Sequence, residues 1–318
     1  MKKIIVLAVL ILIVLLQAFK SQKTLNPSPD LEGTITLSGA YALYPMAVKW
    51  GEEYTKLHPK VKFDTQAGGA GKGMTDAITG TVDIGMVSRD IAPEEIGKGA
   101  FGFAVAKDAV IPTINATNPA IKDLLAKGIT KEKLTSIFMK ASVTTWGQIL
   151  NNSSNASLNA YIRSDACGAA ETFAKYLGGK QEDLEGTAVF GDPGVAEAVT
   201  KDINAIGFNN INYVYDVKTR KPHPGLAALP VDFNANGVID AKENFYATLD
   251  QLDEAIVSGA FPSPPARPLY FVTKGKPTKP LVIEFLKWVL TDGQKFVDES
   301  GYVKLSDTII KEELKKLQ

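Results

Sequence analysis

Short apolar runs alternate with amphipathic stretches along this chain, and the two periods separate strands from helices. Thr34 to Ser38, Val61 to Thr65 and Val82 to Val87 are runs of strand type. The spacing after the first predicts a helix over Met46 to Leu57, with Val48, Trp50, Tyr54 and Leu57 on its buried side. A Gly-rich turn, Gly68-Gly69-Ala70-Gly71-Lys72-Gly73, follows the second run and opens a helix over Met74 to Thr79. The third run ends at Ser88-Arg89-Asp90. Strand, loop and helix in succession form the pattern of a parallel sheet with crossover helices.

Further on, Phe101 to Ala106 and Val110 to Asn115 read as buried strands parted by a turn at Ala106-Lys107-Asp108. Helices are predicted over Ile121 to Leu125, Lys131 to Phe138, Glu171 to Leu177 and Val195 to Lys201, and strands over Ala160 to Ile162 and Ala205 to Phe208. Residues 209–268 are irregular and Pro-rich. The end is regular again: a strand over Leu269 to Thr273, an amphipathic helix over Thr278 to Thr291 and a charged helix from Asp307. The fold class is α/β, and 318 residues suffice for two domains.

Charge and composition remove several functions. Lys+Arg and Asp+Glu both number 35, with no basic stripe, so nucleic acid is not an expected partner. Cys167 is the only cysteine, which excludes an intramolecular disulfide and a Cys-rich metal site. There is no HExxH, G-x-S-x-G or Cys–His pattern, so no enzyme is expected. The Gly-rich turn is not a nucleotide P-loop: Gln66 stands where a glycine is required and Gly73 where Ser or Thr is required.

Lys2-Lys3 ahead of the apolar run Ile4 to Leu16 are the charged and apolar parts of a secretion signal. The run is short against the roughly 20 residues of a membrane span. A cleaved signal and an uncleaved membrane anchor both remain open, with the residues up to 32 ending in a tether. Either places the rest of the chain outside the cytoplasm.

Backbone N–H groups at a Gly-rich helix start favour an anion, and Ser88-Arg89 at a strand end adds a hydroxyl and a guanidinium. The segments SGAYALYP, GGAGKG, GTVDIGMVSRD, TTWG, RSDACGAAETF, AIGF and LTDGQKFVDESGYVKL, in that order, resemble the periplasmic phosphate-binding protein family of ABC transporters. The resemblance runs from about Thr34 to Leu305. It implies a two-lobed type II solute-binding fold: residues 33–111 plus 265–318 as lobe one, residues 112–264 as lobe two, and a hinge closing over a ligand in the cleft. It implies phosphate as ligand, with contacts from Ser38, Ala42 and Leu43, from Ala70 and Gly71, from Ser88 and Arg89, and from Arg163, Asp165, Cys167, Gly168 and Ala169. An ABC transporter permease is the implied partner.

The chain departs from the family where loops usually carry hydroxyls: Leu43, Ala70, Cys167 and Ala169 stand at such positions. Another tetrahedral oxyanion is therefore an alternative ligand, and an anchored non-transport sensor or scaffold an alternative role. Asp165 or Asp90 is a candidate to accept the proton of hydrogen phosphate. Cys167 precedes a helix and is either a reactive thiol or a serine substitute lining the cleft.

A separate motif lies at residues 232–243, Asp-Phe-Asn-Ala-Asn-Gly-Val-Ile-Asp-Ala-Lys-Glu. It matches an EF-hand calcium loop, with Asp232, Asn234, Asn236, Asp240 and Glu243 as side-chain ligands, Val238 offering its carbonyl and Gly237 at the sharp turn. Leu229-Pro230 rules out the usual entering helix, while a helix leaving from Lys242 fits. The expected cofactor is a structural calcium ion.

Overall fold

The computed structural model describes residues 31–318. The predicted signal or anchor lies outside the described residues. In chain order the elements are β1 (Gly33–Gly39), α1 (Tyr44–Leu57), β2 (Val61–Ala67), α2 (Ala70–Thr79), β3 (Ile84–Val87), α3 (Pro93–Gly97), β4 (Ala100–Asn115), α4 (Ile121–Lys127), α5 (Lys131–Phe138) and α6 (Trp146–Leu150). There follow β5 (Asn159–Arg163), α7 (Gly168–Leu177), β6 (Thr187–Val189), α8 (Gly191–Lys201), β7 (Ala205–Asn210), α9 (Ile211–Val214), β8 (Leu226–Ala228), α10 (Leu249–Ser258), β9 (Ala266–Lys274), α11 (Pro280–Leu290) and α12 (Asp307–Lys315).

One mixed sheet runs through the molecule in the order β2-β1-β3-β9-β4-β7-β5-β6, with β8 beside β4. β1 lies parallel between β2 and β3, and β5 lies parallel between β6 and β7. β9 and β4 join these parallel groups through antiparallel pairings. The turn expected at Ala106-Lys107-Asp108 is absent. β4 is one strand that pairs with β9 from Ala100 to Ala109 and with β7 from Val110 to Ile114. Its only break is a register shift between Ala104 and Ala106. The polar pair Lys107-Asp108 stays in the strand because Lys107 exchanges backbone hydrogen bonds with Val303, and Asp108 is buried beside Arg267. β4 is thus shared by both halves of the sheet.

Burial follows two lobes and a seam. The first core joins Ile35, Leu37, Trp50 and Tyr54 to Phe271, Phe285 and Val289 from the far end of the chain. The second gathers Leu134, Phe138, Trp146, Phe173 and Phe208. A third packs Ala109 and Ile111 of β4 and Ala266 of β9 against Phe245, Tyr246 and Leu249. In α1 the buried face is Met46, Ala47, Trp50 and Tyr54; Leu57, expected inside, is 60% exposed, because the helix ends there as the chain turns to β2. Glycines or capping side chains set several helix ends: Thr130 and Thr145 cap α5 and α6, and left-handed Gly80 and Gly178 end α2 and α7.

Candidate functional site

Three loops meet where the lobes face each other. The β1–α1 loop is tied to the β2–α2 loop by the N–H groups of Gly68 and Gly69, both donating to the Gly39 carbonyl. The β5–α7 loop closes on them from lobe two: the Gly71 N–H donates to the Ala166 carbonyl at 3.4 Å, and the Arg163 guanidinium lies 5.5 Å from the Tyr41 ring centre. The two lobes thus touch through these loops. Two glycines are needed for this approach. Gly69 has φ 89°, and a Cβ there would stand 2.8 Å from the Ala166 oxygen. At Gly168 a Cβ would stand 2.2 Å from the Ser88 oxygen.

The helix starts supply donors. α2 begins at Ala70 and α7 at Gly168, so the first N–H groups of each lack acceptors within their own helix. Both ends carry positive partial charge. Of the expected contact residues, Gly168 and Ala169 stand at the start of α7 and Gly71 in the first turn of α2, its N–H already given to Ala166, and the small side chains of Ala70 and Ala169 are buried. Ala42 and Leu43 are also buried, the Ala42 carbonyl accepting from the Tyr302 hydroxyl at 2.7 Å. Cys167 caps α7: its Sγ accepts from the Ala170 N–H at 3.4 Å. Cys167 is buried, and burial pushes its thiol up to about 12, which disfavours the reactive thiolate.

The charged residues are engaged with one another. Arg163 donates from Nε to Asp165 Oδ1 at 2.8 Å, from Nη2 to Asp165 Oδ2 at 2.5 Å, and from Nη1 to Asp192. Burial opposes the charge on Arg163, but Asp192 and Asp165 outweigh it and raise its pKa. Asp165 feels burial too, yet the Arg163 guanidinium and the Gly191 N–H hold it below the usual carboxylate range. Asp192 is shifted upward, because its complete burial outweighs Arg163 and Arg267. Asn210 links the two halves of this network, donating to Asp192 at 2.8 Å and accepting from Arg267. Arg267 also donates to the Gly168 carbonyl, crossing between lobes. Burial pushes its neighbour Asp108 up to about 7.

The serines and Arg89 sit differently from one another. The Ser38 hydroxyl donates to Asp76 at 2.6 Å. Burial pushes Asp76 up, and hydrogen bonds from Lys72 and Ser38 more than offset it, so its pKa falls. Ser88 is buried against Gly168. Arg89 pairs with Glu95 within its own lobe at 2.6 Å and with Glu171 of α7 at 3.0 Å. Next to it, Asp90 meets Lys175 of α7 at 2.6 Å. Glu171 and Lys175 lie one helical turn apart, so consecutive residues of lobe one grip one face of α7. A cavity of about 440 Å³ between the lobes is lined by Gly71, Arg89, Ala166, Cys167 and Glu171.

Sequence reasoning overlooked Asp76, Asp108, Asp192, Asn210 and Arg267. One signal was available: Asp108 lies between the apolar runs Phe101 to Ala106 and Val110 to Asn115, and Arg267 stands just ahead of the run Leu269 to Thr273, and charges beside buried strands are buried only when paired.

Residues 26–293 match the family model described as a PBP superfamily domain. The chain belongs to the PBP superfamily. As a PBP-superfamily chain it is similar to the phosphate-binding protein PstS of Staphylococcus haemolyticus (strain JCSC1435), 24% identical over 297 residues that span 91% of this chain and 86% of that protein. It is 27% identical to the phosphate-binding protein PstS of Bacillus subtilis (strain 168), over 86% of this chain and 82% of that one. A Clostridium perfringens protein described as a phosphate ABC transporter substrate-binding protein, solved with phosphate bound, superposes with a TM-score of 0.71 at 23% identity, covering 86% of this chain and 100% of its own. That likeness establishes the two-lobed mixed-sheet fold of the superfamily.

Proposed function

We propose that this protein is an extracytoplasmic receptor that captures phosphate between its lobes and hands it to an ABC importer; it is a binding protein and not an enzyme. The observation that carries the reading is the meeting of three loops from two lobes, with helix N-termini among them, in a chain similar to phosphate-binding proteins over about nine-tenths of its length. Residues 33–111 plus 265–318 make lobe one and residues 112–264 lobe two, hinged at β4 and β9.

Backbone N–H groups at Ala42, Ala70, Gly168 and Ala169 are the main donors, with the Ser88 hydroxyl beside them; the N–H groups of Leu43 and Gly71 donate within the protein to Ala40 and Ala166, and the Ser38 hydroxyl donates to Asp76. Arg163 has five N–H groups, and its carboxylate partners take three of them. Two remain for an oxyanion. Asp165 is fully engaged by Arg163 and Gly191 and serves to position the guanidinium. Arg89 closes the lobes through Glu171 and contributes positive charge without touching the ligand.

The residues up to 32 form a signal or anchor that keeps the receptor outside the cytoplasm. Among the described residues no helix is long and apolar enough to cross a membrane.

Ala70, Cys167 and Ala169 favour a second reading within the class, a receptor for another tetrahedral oxyanion. Each missing hydroxyl removes about 0.5–1.5 kcal/mol of donation. Competition of phosphate, arsenate, sulfate and molybdate for the purified protein separates the two. Phosphate and arsenate ahead of sulfate by at least tenfold supports the phosphate receptor; sulfate or molybdate ahead refutes it.

A further inference from the structure

The geometry points to a calcium site at residues 232–243, in lobe two and apart from the interlobe cleft. The loop is already wrapped around its first residue. Asp232 is buried, and its two oxygens accept the N–H groups of Asn236 at 3.2 Å and of Gly237 at 2.8 Å. Gly237 makes the turn with φ 85°. The last residue folds back over the first. Glu243 Oε1 accepts the N–H groups of Phe233 at 2.8 Å and Asn234 at 3.1 Å, which sets this carboxylate against the start of the loop.

The other oxygen of that carboxylate identifies a missing partner. Glu243 is 5% exposed, and its Oε2 is buried with no hydrogen-bond donor. A buried carboxylate oxygen without a partner is costly. A cation bound by both oxygens of Glu243, the bidentate role of the twelfth loop residue, satisfies it.

The chemistry of the donor set selects the ion. All candidate donors are oxygens: Asp232, Asn234, Asn236, the Val238 carbonyl and Glu243. Hard oxygen donors in a flexible loop suit calcium over zinc or copper. Among the described residues no three His, Cys, Asp or Glu side chains gather closely enough to hold a metal by themselves. The loop does not require it. Only Asp232 and Glu243 need bind directly as carboxylates, because the ninth position commonly acts through water. Asp240 fits that outer role, since its oxygens accept from the Asn234 amide at 3.0 Å and the Lys242 N–H at 2.9 Å.

The helix expected to leave the loop at Lys242 is absent; the next one is α10, capped by the Thr248 hydroxyl. The segment instead enters the hinge. Phe233 within the loop packs against, and Phe245 just after it belongs to, the core that holds Ala109, Ile111 and Ala266 of the crossing strands. The ion therefore fixes the seat on which the lobes swing. On the other side the Ile239 N–H donates to the Ala126 carbonyl at 2.9 Å, tying the loop to α4.

The test is calorimetric titration of calcium into the purified full chain after EDTA treatment, with melting curves taken in parallel. The expected result is one saturable site with Kd of about 10⁻⁵ to 10⁻³ M and a melting temperature that rises with calcium. Magnesium at the same concentration gives a smaller rise. Glu243→Gln abolishes binding, and the half-exposed Asp240→Asn weakens it several-fold while circular dichroism shows a native fold. No saturable binding to the folded wild type, or unchanged affinity in folded Asp240→Asn and Glu243→Gln, overturns the site.

Discussion

Arg89 of lobe one lies 3.0 Å from Glu171 of lobe two, while the same guanidinium is held by Glu95 at 2.6 Å. This pair joins the two lobes, so it is expected to favour their closed arrangement without contacting ligand. Glu171 is 47% exposed at its side chain, which limits the pair to about 0.2–1 kcal/mol. Glu171→Ala is expected to weaken phosphate binding roughly two- to fivefold at low salt, with a smaller effect at about 0.5 M salt. Titrations at two ionic strengths check it, and a salt-independent loss contradicts the electrostatic role.

Gly168 sits directly against Ser88 of the other lobe. A methyl group there meets the Ser88 backbone oxygen at 2.2 Å and the Ser88 Oγ at 2.3 Å. Gly168→Ala is therefore expected to prop the lobes apart. Phosphate affinity falls more than about tenfold (over 1.4 kcal/mol), while thermal stability stays within about 1 kcal/mol of wild type. Small-angle scattering should show that phosphate no longer compacts the variant. Normal compaction with normal affinity refutes the claim.

Arg163 pairs with two carboxylates, and removing it takes the directly bonded cation from both Asp165 and Asp192, leaving Asp165 the Gly191 N–H and Asp192 the Asn210 amide. Losing one partner of a buried ion pair costs about 3–5 kcal/mol. Arg163→Ala is thus expected to lower the melting temperature by roughly 6–20 °C as well as abolish binding. Denaturant unfolding measures the first effect. Unchanged stability contradicts the network described here.

Asp108 gives a pH dependence of definite sign. Its folded pKa, pushed up by burial to about 7 despite Arg267, lies above the unfolded value of about 3.9. The folded state therefore holds the extra proton between these values. Its contribution is fully present below about pH 4 and is lost as pH rises through about 7. Asp76 and Asp165 are shifted the opposite way, so the comparison must be wild type against Asp108→Asn. The variant should show a flatter decline in stability between pH 4 and 7, by urea unfolding; parallel curves rule out this titration.

Much of the architecture was legible because apolar runs in α/β folds are short and bounded. Trp50 and Tyr54 repeat at helical spacing, and Val61 and Ile84 to Val87 are buried strand positions. The continuity of β4 was not legible. Lys107-Asp108 looks like a turn unless one knows that Arg267, 159 positions away, is folded against it. The three loops that meet between the lobes were picked out by the family resemblance of their Gly- and Ser-containing segments. The partners of Ser38 and Arg163 were not, since Asp76 and Asp192 reach them only through helices α2 and α8. Local sequence shows where donors lie, and tertiary packing decides what they donate to.

The most direct measurement is a calorimetric titration of phosphate into the purified protein stripped of bound anion. One site per chain is expected, with Kd of about 1 μM or tighter, equivalent to roughly −8 kcal/mol. No saturable heat up to millimolar phosphate, from protein shown to be folded, contradicts it.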